Sequence, residues 1–274
     1  MVFQIHTPSK ALQPFVQCFL EADGRDSIHK GEYSLFPNGL SGIFFNFGNT
    51  GKIILKKEYE TPSVSVFGQI DHHFVVTHRP GFYSLGVLLK PTVLSWLLHV
   101  DMSEFTNKAL DGQLIRCDMN SLHHHMQESA SVKDKIACAE QYLGKILLSN
   151  PQPITLVDHA LHLIYQQKAP SIYQLSQHLK VSQRYLEDQF KRTVGLSPKT
   201  YSLIHRFKRM EHQLIKMSSI NWQHMSFANE YYDQNHFIKD FKRFTGLTPS
   251  NYLLENFEMG KSYLKGASQI VALE

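Results

Sequence analysis

Two stretches of the chain carry side chains suited to the edges of nucleic-acid bases. In SQRYLEDQFKRTVGLSPKTY, Ser182 to Tyr201, a helix that turns Leu186 and Phe190 inward leaves Gln183, Arg184, Glu187, Asp188 and Lys191 outside. In DQNHFIKDFKRFTGLTPSNY, Asp233 to Tyr252, turning Phe237 and Phe241 inward leaves Gln234, Asn235, Ile238, Lys239 and Lys242 outside. Amides and guanidinium groups can bond adenine or guanine through two atoms at once, at about 1–3 kcal/mol of discrimination per good pair. A carboxylate can accept from cytosine N4, although it also repels phosphate. The candidate base contacts are therefore Gln183, Arg184, Glu187, Asp188, Gln234, Asn235, Ile238 and Lys239. Lys191-Arg192 and Lys242-Arg243, at the far ends, suit phosphate oxygens, which supply affinity without sequence information.

Such side chains need a protruding helix to carry them. The two stretches start fifty-one residues apart, and their tails, FKRTVGLSPKTY and FKRFTGLTPSNY, share seven of twelve positions. Ser182 and Asp233 are N-cap types, Gly195 and Gly246 fall where a helix must end in a left-handed conformation, and Pro198 and Pro249 open the next segment. Upstream of each stretch lies a shorter helix, with Ile172, Leu175 and Ser176 in one copy and Trp222, Met225 and Ser226 in the other. Those are fifty residues apart, so the second copy has one more residue in its turn. Short helix, turn, longer helix is a helix-turn-helix, here present twice. A B-DNA major groove, about 12 Å wide, admits one helix. The periodic segment Leu203 to Ile215 would join the units so that they reach successive grooves.

The C-terminal hundred residues resemble the DNA-binding domain of AraC/XylS-type transcriptional regulators. The match is carried by Ser182, Leu186, Phe190, Lys191 and Gly195, by Arg206 opening the linker helix, and by Tyr231-Tyr232-Asp233-Gln234-Asn235-His236-Phe237 running into Phe241-Lys242-Arg243-Phe244-Thr245-Gly246-Leu247-Thr248-Pro249. Two positions depart from the family: Glu230 stands where glycine is usual, and Glu187 and Asp188 stand where neutral or basic residues are common. The resemblance implies a sequence-specific, DNA-binding transcription regulator that acts on double-stranded promoter DNA. It further implies Arg206 on a phosphate, RNA polymerase as a second partner, a homodimer, and no cofactor or catalysis.

At 274 residues, two domains are expected. Residues 1 to about 115 read as β: Ser41 to Gly48, Ser63 to Gly68 and Phe82 to Pro91 are strand patterns, and Thr92 to Val100 has helical spacing. Ser131 to Leu148 is an amphipathic helix, equally suited to a dimer seam or to its own β domain. Asn150-Pro151-Gln152-Pro153 marks the boundary, and beyond it the starts Thr155/Asp158, Ser171/Gln174 and Asn221/His224 indicate helices only. The fold class is α+β: a β-barrel or sandwich with helices over 1–150 (dimer-helix candidate 131–149), an all-α domain of two helix-turn-helix units over 154–257, and an extension over 258–274. The N-terminal half is similar to the cupin-like domain that precedes the DNA-binding unit in one branch of the family. Pro14-Phe15-Val16, Leu35 to Gly39, Phe44 to Gly48, Phe67-Gly68-Gln69 and Gly86 to Pro91 carry that similarity. It implies a domain that senses an unknown small-molecule effector or pairs chains.

Charge agrees with a polyanion partner for the helical part. Lys168 to Leu254 holds 13 basic and 6 acidic residues of the chain's 28 and 24, a balance of +7, which leaves 15 and 18, a balance of −3, elsewhere. No run is apolar enough for a membrane span, the start lacks a secretory pattern, and Cys18, Cys117 and Cys138 read as reduced thiols in a cytoplasmic protein. Sixteen histidines invite a metal, but His72, His73 and His78 lack a partner at a telling spacing, and His123-His124-His125 reads as solvated surface. The cysteines lack neighbours that would activate a thiolate. Two alternatives stay open: a protein-interaction module whose DNA-binding unit is degenerate, suggested by Glu187, Asp188 and Glu230, and an enzyme housed in the β domain.

Overall fold

The computed structural model describes residues 1–256 apart from 55–57, 150–152, 167–169, 217–221, 230 and 232. Asn221, Glu230, Tyr232 and the extension over 258–274 thus lie outside the described residues.

Among the described residues ten strands build the N-terminal domain: β1 (Val2–His6), β2 (Val16–Gly24), β3 (Gly31–Leu35), β4 (Ser41–Asn46), β5 (Lys52–Ile54), β6 (Glu58–Glu60), β7 (Val64–Phe67), β8 (Phe74–His78), β9 (Phe82–Leu89) and β10 (Ala109–Asp111). They form two antiparallel sheets, β1-β2-β9-β4-β7-β10 and β3-β8-β5-β6, rather than one closed barrel. Alternation along the strands sorts the six-stranded sheet's faces. Phe19, Ile43, Phe45, Val64, Val66, Leu85, Val87 and Leu89 pack with α1 (Val93–Leu98), α3 (Asp118–Glu128) and α4 (Val132–Leu147). The opposite face, with Ala22, Phe44, Phe67 and Leu88, looks across a cavity to Tyr33, Ile53 and Val76 of the four-stranded sheet. Gly86 makes that packing possible, since a Cβ there would lie 2.5 Å from the Phe44 ring.

The short α2 (Gly112–Ile115) precedes α3. The histidine run expected on solvated surface lies in α3 and is divided by it. His123 is buried, stacked on Phe47 with ring centres 5.2 Å apart, and bonded through Nε2 to the Asn46 carbonyl at 2.7 Å, while His124 and His125 stay exposed. The helix expected over 131–148 is α4, whose Ala139, Leu143 and Leu147 are buried in the β-domain core.

After α4 the described residues hold helices only: α5 (Leu156–Gln166), α6 (Ile172–Leu179), α7 (Gln183–Val194), α8 (Pro198–Lys216), α9 (Trp222–Ala228), α10 (Gln234–Thr245) and α11 (Pro249–Asn256). The linker helix α8 starts at Pro198, earlier than the apolar periodicity from Leu203 indicates. Proline suits the first helical position, which has no intrahelical use for an N–H, and Ser197 Oγ accepts from the Thr200 N–H at 3.1 Å. One core joins the helices, with Leu186, Phe190, Phe207, Phe237, Phe241 and Phe244 fully buried. Phe36, which follows β3, belongs to that helical core as well.

Candidate nucleic-acid interface

Each recognition helix begins and ends on local chemistry. Ser182 Oγ accepts from the Tyr185 N–H at 3.2 Å, and Asp233 Oδ1 accepts from the His236 N–H at 2.7 Å. Gly195 (φ 94°) closes α7 with a 2.8 Å bond to the Lys191 carbonyl, and Gly246 (φ 79°) closes α10 with the same bond to Lys242. Ahead of α7, Ser171 and Gln174 form the reciprocal box that starts α6. In the first turn Lys180 takes the left-handed conformation (φ 55°), and the Val181 N–H reaches the Ser176 carbonyl at 3.0 Å. Fifty residues on, the Tyr231 N–H reaches the Ser226 carbonyl at the same 3.0 Å. The two turns close on equivalent bonds although their lengths differ.

Burial inside each helix leaves a polar outer face. Gln183, Arg184, Glu187, Asp188, Lys191 and Arg192 of α7 are exposed, as are Gln234, Asn235, Lys239, Lys242 and Arg243 of α10. Asp188 and Arg192 pair along α7 at 3.1 Å, so the acid and a neighbouring base balance each other locally. Ile238 departs from the expected set. It is half-buried against the helical core, because an apolar side chain at the flank of the helix packs rather than projects. Tyr185 and its counterpart His236 are exposed and were not singled out in the sequence. Their fifty-one-residue equivalence was the available signal.

The comparisons follow this geometry. Residues 175–255 match the family described as a helix-turn-helix domain, and residues 4–111 match a domain of unknown function (DUF6597). The C-terminal region is an AraC-type helix-turn-helix domain. The chain that carries it is a DNA-binding transcription regulator. A search among curated proteins finds no match. Among solved structures, ToxT from Vibrio cholerae is similar at 12% identity and TM-score 0.47, over 82% of this chain and 97% of that one. The AraC-like transcriptional activator CuxR is similar at 11% identity and TM-score 0.30, over 77% and 86%.

Within the AraC-type domain, Arg206 is not where a phosphate contact would be. It is 7% exposed, its Nη2 bonds Asp240 Oδ2 at 3.1 Å, and its guanidinium lies 3.8 Å from the centre of the Tyr231 ring. The side chain ties the linker helix to the second recognition helix. An inward-facing position on α8, opposite a buried carboxylate on α10, decides this.

The β domain grips both helices at their C-terminal ends. Thr106 Oγ1 donates to the Gly195 carbonyl at 2.5 Å, and Arg243 Nη2 donates to Asp71 Oδ2 at 2.7 Å. The loops that carry these residues are bonded to each other, Asn107 N–H to the Gln69 carbonyl at 2.9 Å and Asp71 N–H to Asn107 Oδ1 at 3.0 Å. Contact is close: a Cβ at Gly246 would lie 2.5 Å from the His73 ring, and one at Gly195 would lie 2.8 Å from the Met102 carbonyl. Burial works against the charge of Asp71, but hydrogen bonds from His72, Asn107 and Arg243 outweigh it and hold the carboxyl below its ordinary range. Burial pushes His73 down, and the neighbouring His72 adds to the effect. These histidines serve the contact between domains: His72 Nδ1 meets Asp71 Oδ1 at 2.8 Å.

Proposed function

We propose that this regulator binds promoter DNA as a sequence-specific reader, with α7 and α10 in successive major grooves, and that its N-terminal domain makes binding responsive to a small-molecule effector. The observation that carries the reading is the tandem unit itself, two capped helices with amide and basic side chains exposed at equivalent positions fifty-one residues apart. Gln183, Arg184, Glu187, Asp188, Gln234, Asn235 and Lys239 are the proposed base contacts, and Lys191, Arg192, Lys242 and Arg243 the proposed phosphate contacts. Tyr185 and His236 join them at the groove edge. Residues 1–150 are the sensing part and 154–257 the DNA-binding part. Two chains pair on palindromic sites, RNA polymerase is the downstream partner, no reaction is catalysed, and the setting is the cytoplasm. No described helix is long and apolar enough to cross a membrane.

A salt titration on bound promoter fragments tests this. Log affinity should fall with log salt at about −0.9 per phosphate neutralised, roughly −5 for six contacts. A flat response would favour a protein-interaction module instead. Sedimentation of the full chain on one- and two-site DNA decides the pairing.

A further inference from the structure

The cavity between the two sheets has few polar side chains, and they are not alike. Its walls are largely apolar, with Phe44, Phe67, Phe74 and Leu88 among them. Asn46 Nδ2 is bonded to the Pro62 carbonyl at 2.6 Å, Ser65 Oγ to the same carbonyl at 3.3 Å, and Thr61 Oγ1 to the Gly51 carbonyl at 3.0 Å. Asn38 Oδ1 accepts from the Leu40 N–H at 3.0 Å. By contrast the hydroxyl of Ser84, which is 2% exposed and shares the cavity face with Gly86 and Leu88, has no hydrogen-bond partner. A buried hydroxyl is ordinarily satisfied, so this one marks where a ligand's polar group belongs. In the pairing of β4 with β9, Ser84 stands opposite Asn46, which lines the same wall, whereas Ser41 stands opposite Leu89 on the face packed against the helices.

Charge narrows the class. Among the described residues the one basic group in the wall is Lys208 of α8, and its ammonium already pairs with Glu211, which is 2% exposed. The second oxygen of Glu211 is buried without a hydrogen bond. A ligand carboxylate brought to Lys208 would meet that carboxylate, and a ligand ammonium would meet the lysine. Either would also lose its hydration to an apolar wall. The cavity leaves about 100 Å³ for the centres of water-sized groups. At about 10–15 Å³ per water on that measure, it holds roughly ten non-hydrogen atoms.

We propose that this cavity binds an uncharged, mainly apolar molecule of roughly ten non-hydrogen atoms, whose hydroxyl or carbonyl group bonds Ser84. The assignment rests on the effector-responsive reading above and gives it a ligand class. It also gives a route outward. Lys208 belongs to the linker helix and Phe36 to the helical core, and both line the cavity, so a ligand touches the DNA-binding part directly.

The test uses the full chain and four probes of one chain length: 1-decanol, decanoate, decylamine and decane, with calorimetry for binding and a promoter fragment for DNA affinity. Decanol is expected to bind at least tenfold more tightly than decanoate or decylamine at neutral pH. Ser84→Ala should weaken decanol at least fivefold and leave decane unchanged. That comparison separates a lost hydrogen bond from a damaged fold. Tighter binding of decanoate, or no binding of decanol by a chain that still binds DNA, overturns the ligand class and leaves the DNA-binding reading standing. Decanol binding with the serine dependence but without any change in DNA affinity supports the site and sinks only its role as a switch.

Discussion

Arg206 separates two kinds of basic side chain that a sequence presents alike. Its partner Asp240 is nearly as buried, with side-chain exposures of 8% and 11%, so removing the arginine strands a carboxylate in the core. Arg206→Ala should cost about 3–5 kcal/mol, read as a drop in the thermal midpoint, and Asp240→Ala added to it should recover part of the loss. If Arg206 sat on a phosphate instead, stability would hold and the salt slope would shrink by about 0.9. The exposed residues behave differently because solvent already satisfies them. Arg184→Ala and Asn235→Ala should lower the preference for the best site by about 1–3 kcal/mol each. Lys242→Ala should weaken binding to all sequences alike. Equal losses on every fragment for all three would refute the assigned roles, and a binding-site selection with each variant reads this out.

Between elements, the decisive contact is the one the β-domain loops make with the two helix C-termini. Asp71 holds Arg243, a proposed phosphate contact, so DNA and the β domain compete for one guanidinium. The pair is partly exposed, at 40% and 27%, and such pairs contribute at most about 1 kcal/mol. Asp71→Ala should therefore raise DNA affinity by up to about fivefold and steepen the salt slope by about 0.9. Because the folded carboxyl is held below its ordinary value, the contact is present above that value and is lost only as pH falls through the lower, folded one. The effect of Asp71→Ala should thus be level across neutral pH, and affinity measurements at several pH values check it. None of this contact was legible in the sequence, since Asp71 and Thr106 gain their meaning from residues 172 and 89 positions away. The caps were legible, because Ser182, Asp233, Gly195 and Gly246 act on backbone within a turn of themselves. His123 shows the limit in between. Its spacing in a polar run suggests solvent, and the Asn46 carbonyl and the Phe47 ring, distant in sequence, make it a core residue.

For the whole molecule, the two halves share more than a linker. Phe36 leaves the β domain to enter the helical core, where its ring centre lies 6.0 Å from that of Tyr252. Beside it Tyr201 Oη donates to the Gly39 carbonyl at 3.2 Å, and Thr92 Oγ1 donates to Asp158 at 2.9 Å. A core residue shared in this way couples the unfolding of both parts, because neither can open without exposing the aromatic ring to water. The full chain should then unfold in one calorimetric transition. Truncating a buried phenylalanine to alanine costs about 3–5 kcal/mol, and here that cost falls on the coupling itself. Phe36→Ala should split the transition in two, with the helical part melting separately from the β domain. Two transitions in the unmodified chain would show the domains to be independent and would remove the path by which a cavity in one could act on helices in the other. A single transition that Phe36→Ala lowers without splitting would place the coupling in the hydrogen bonds at Gly39, Asp71 and Thr106 instead, and Tyr201→Phe is the variant that then separates the halves.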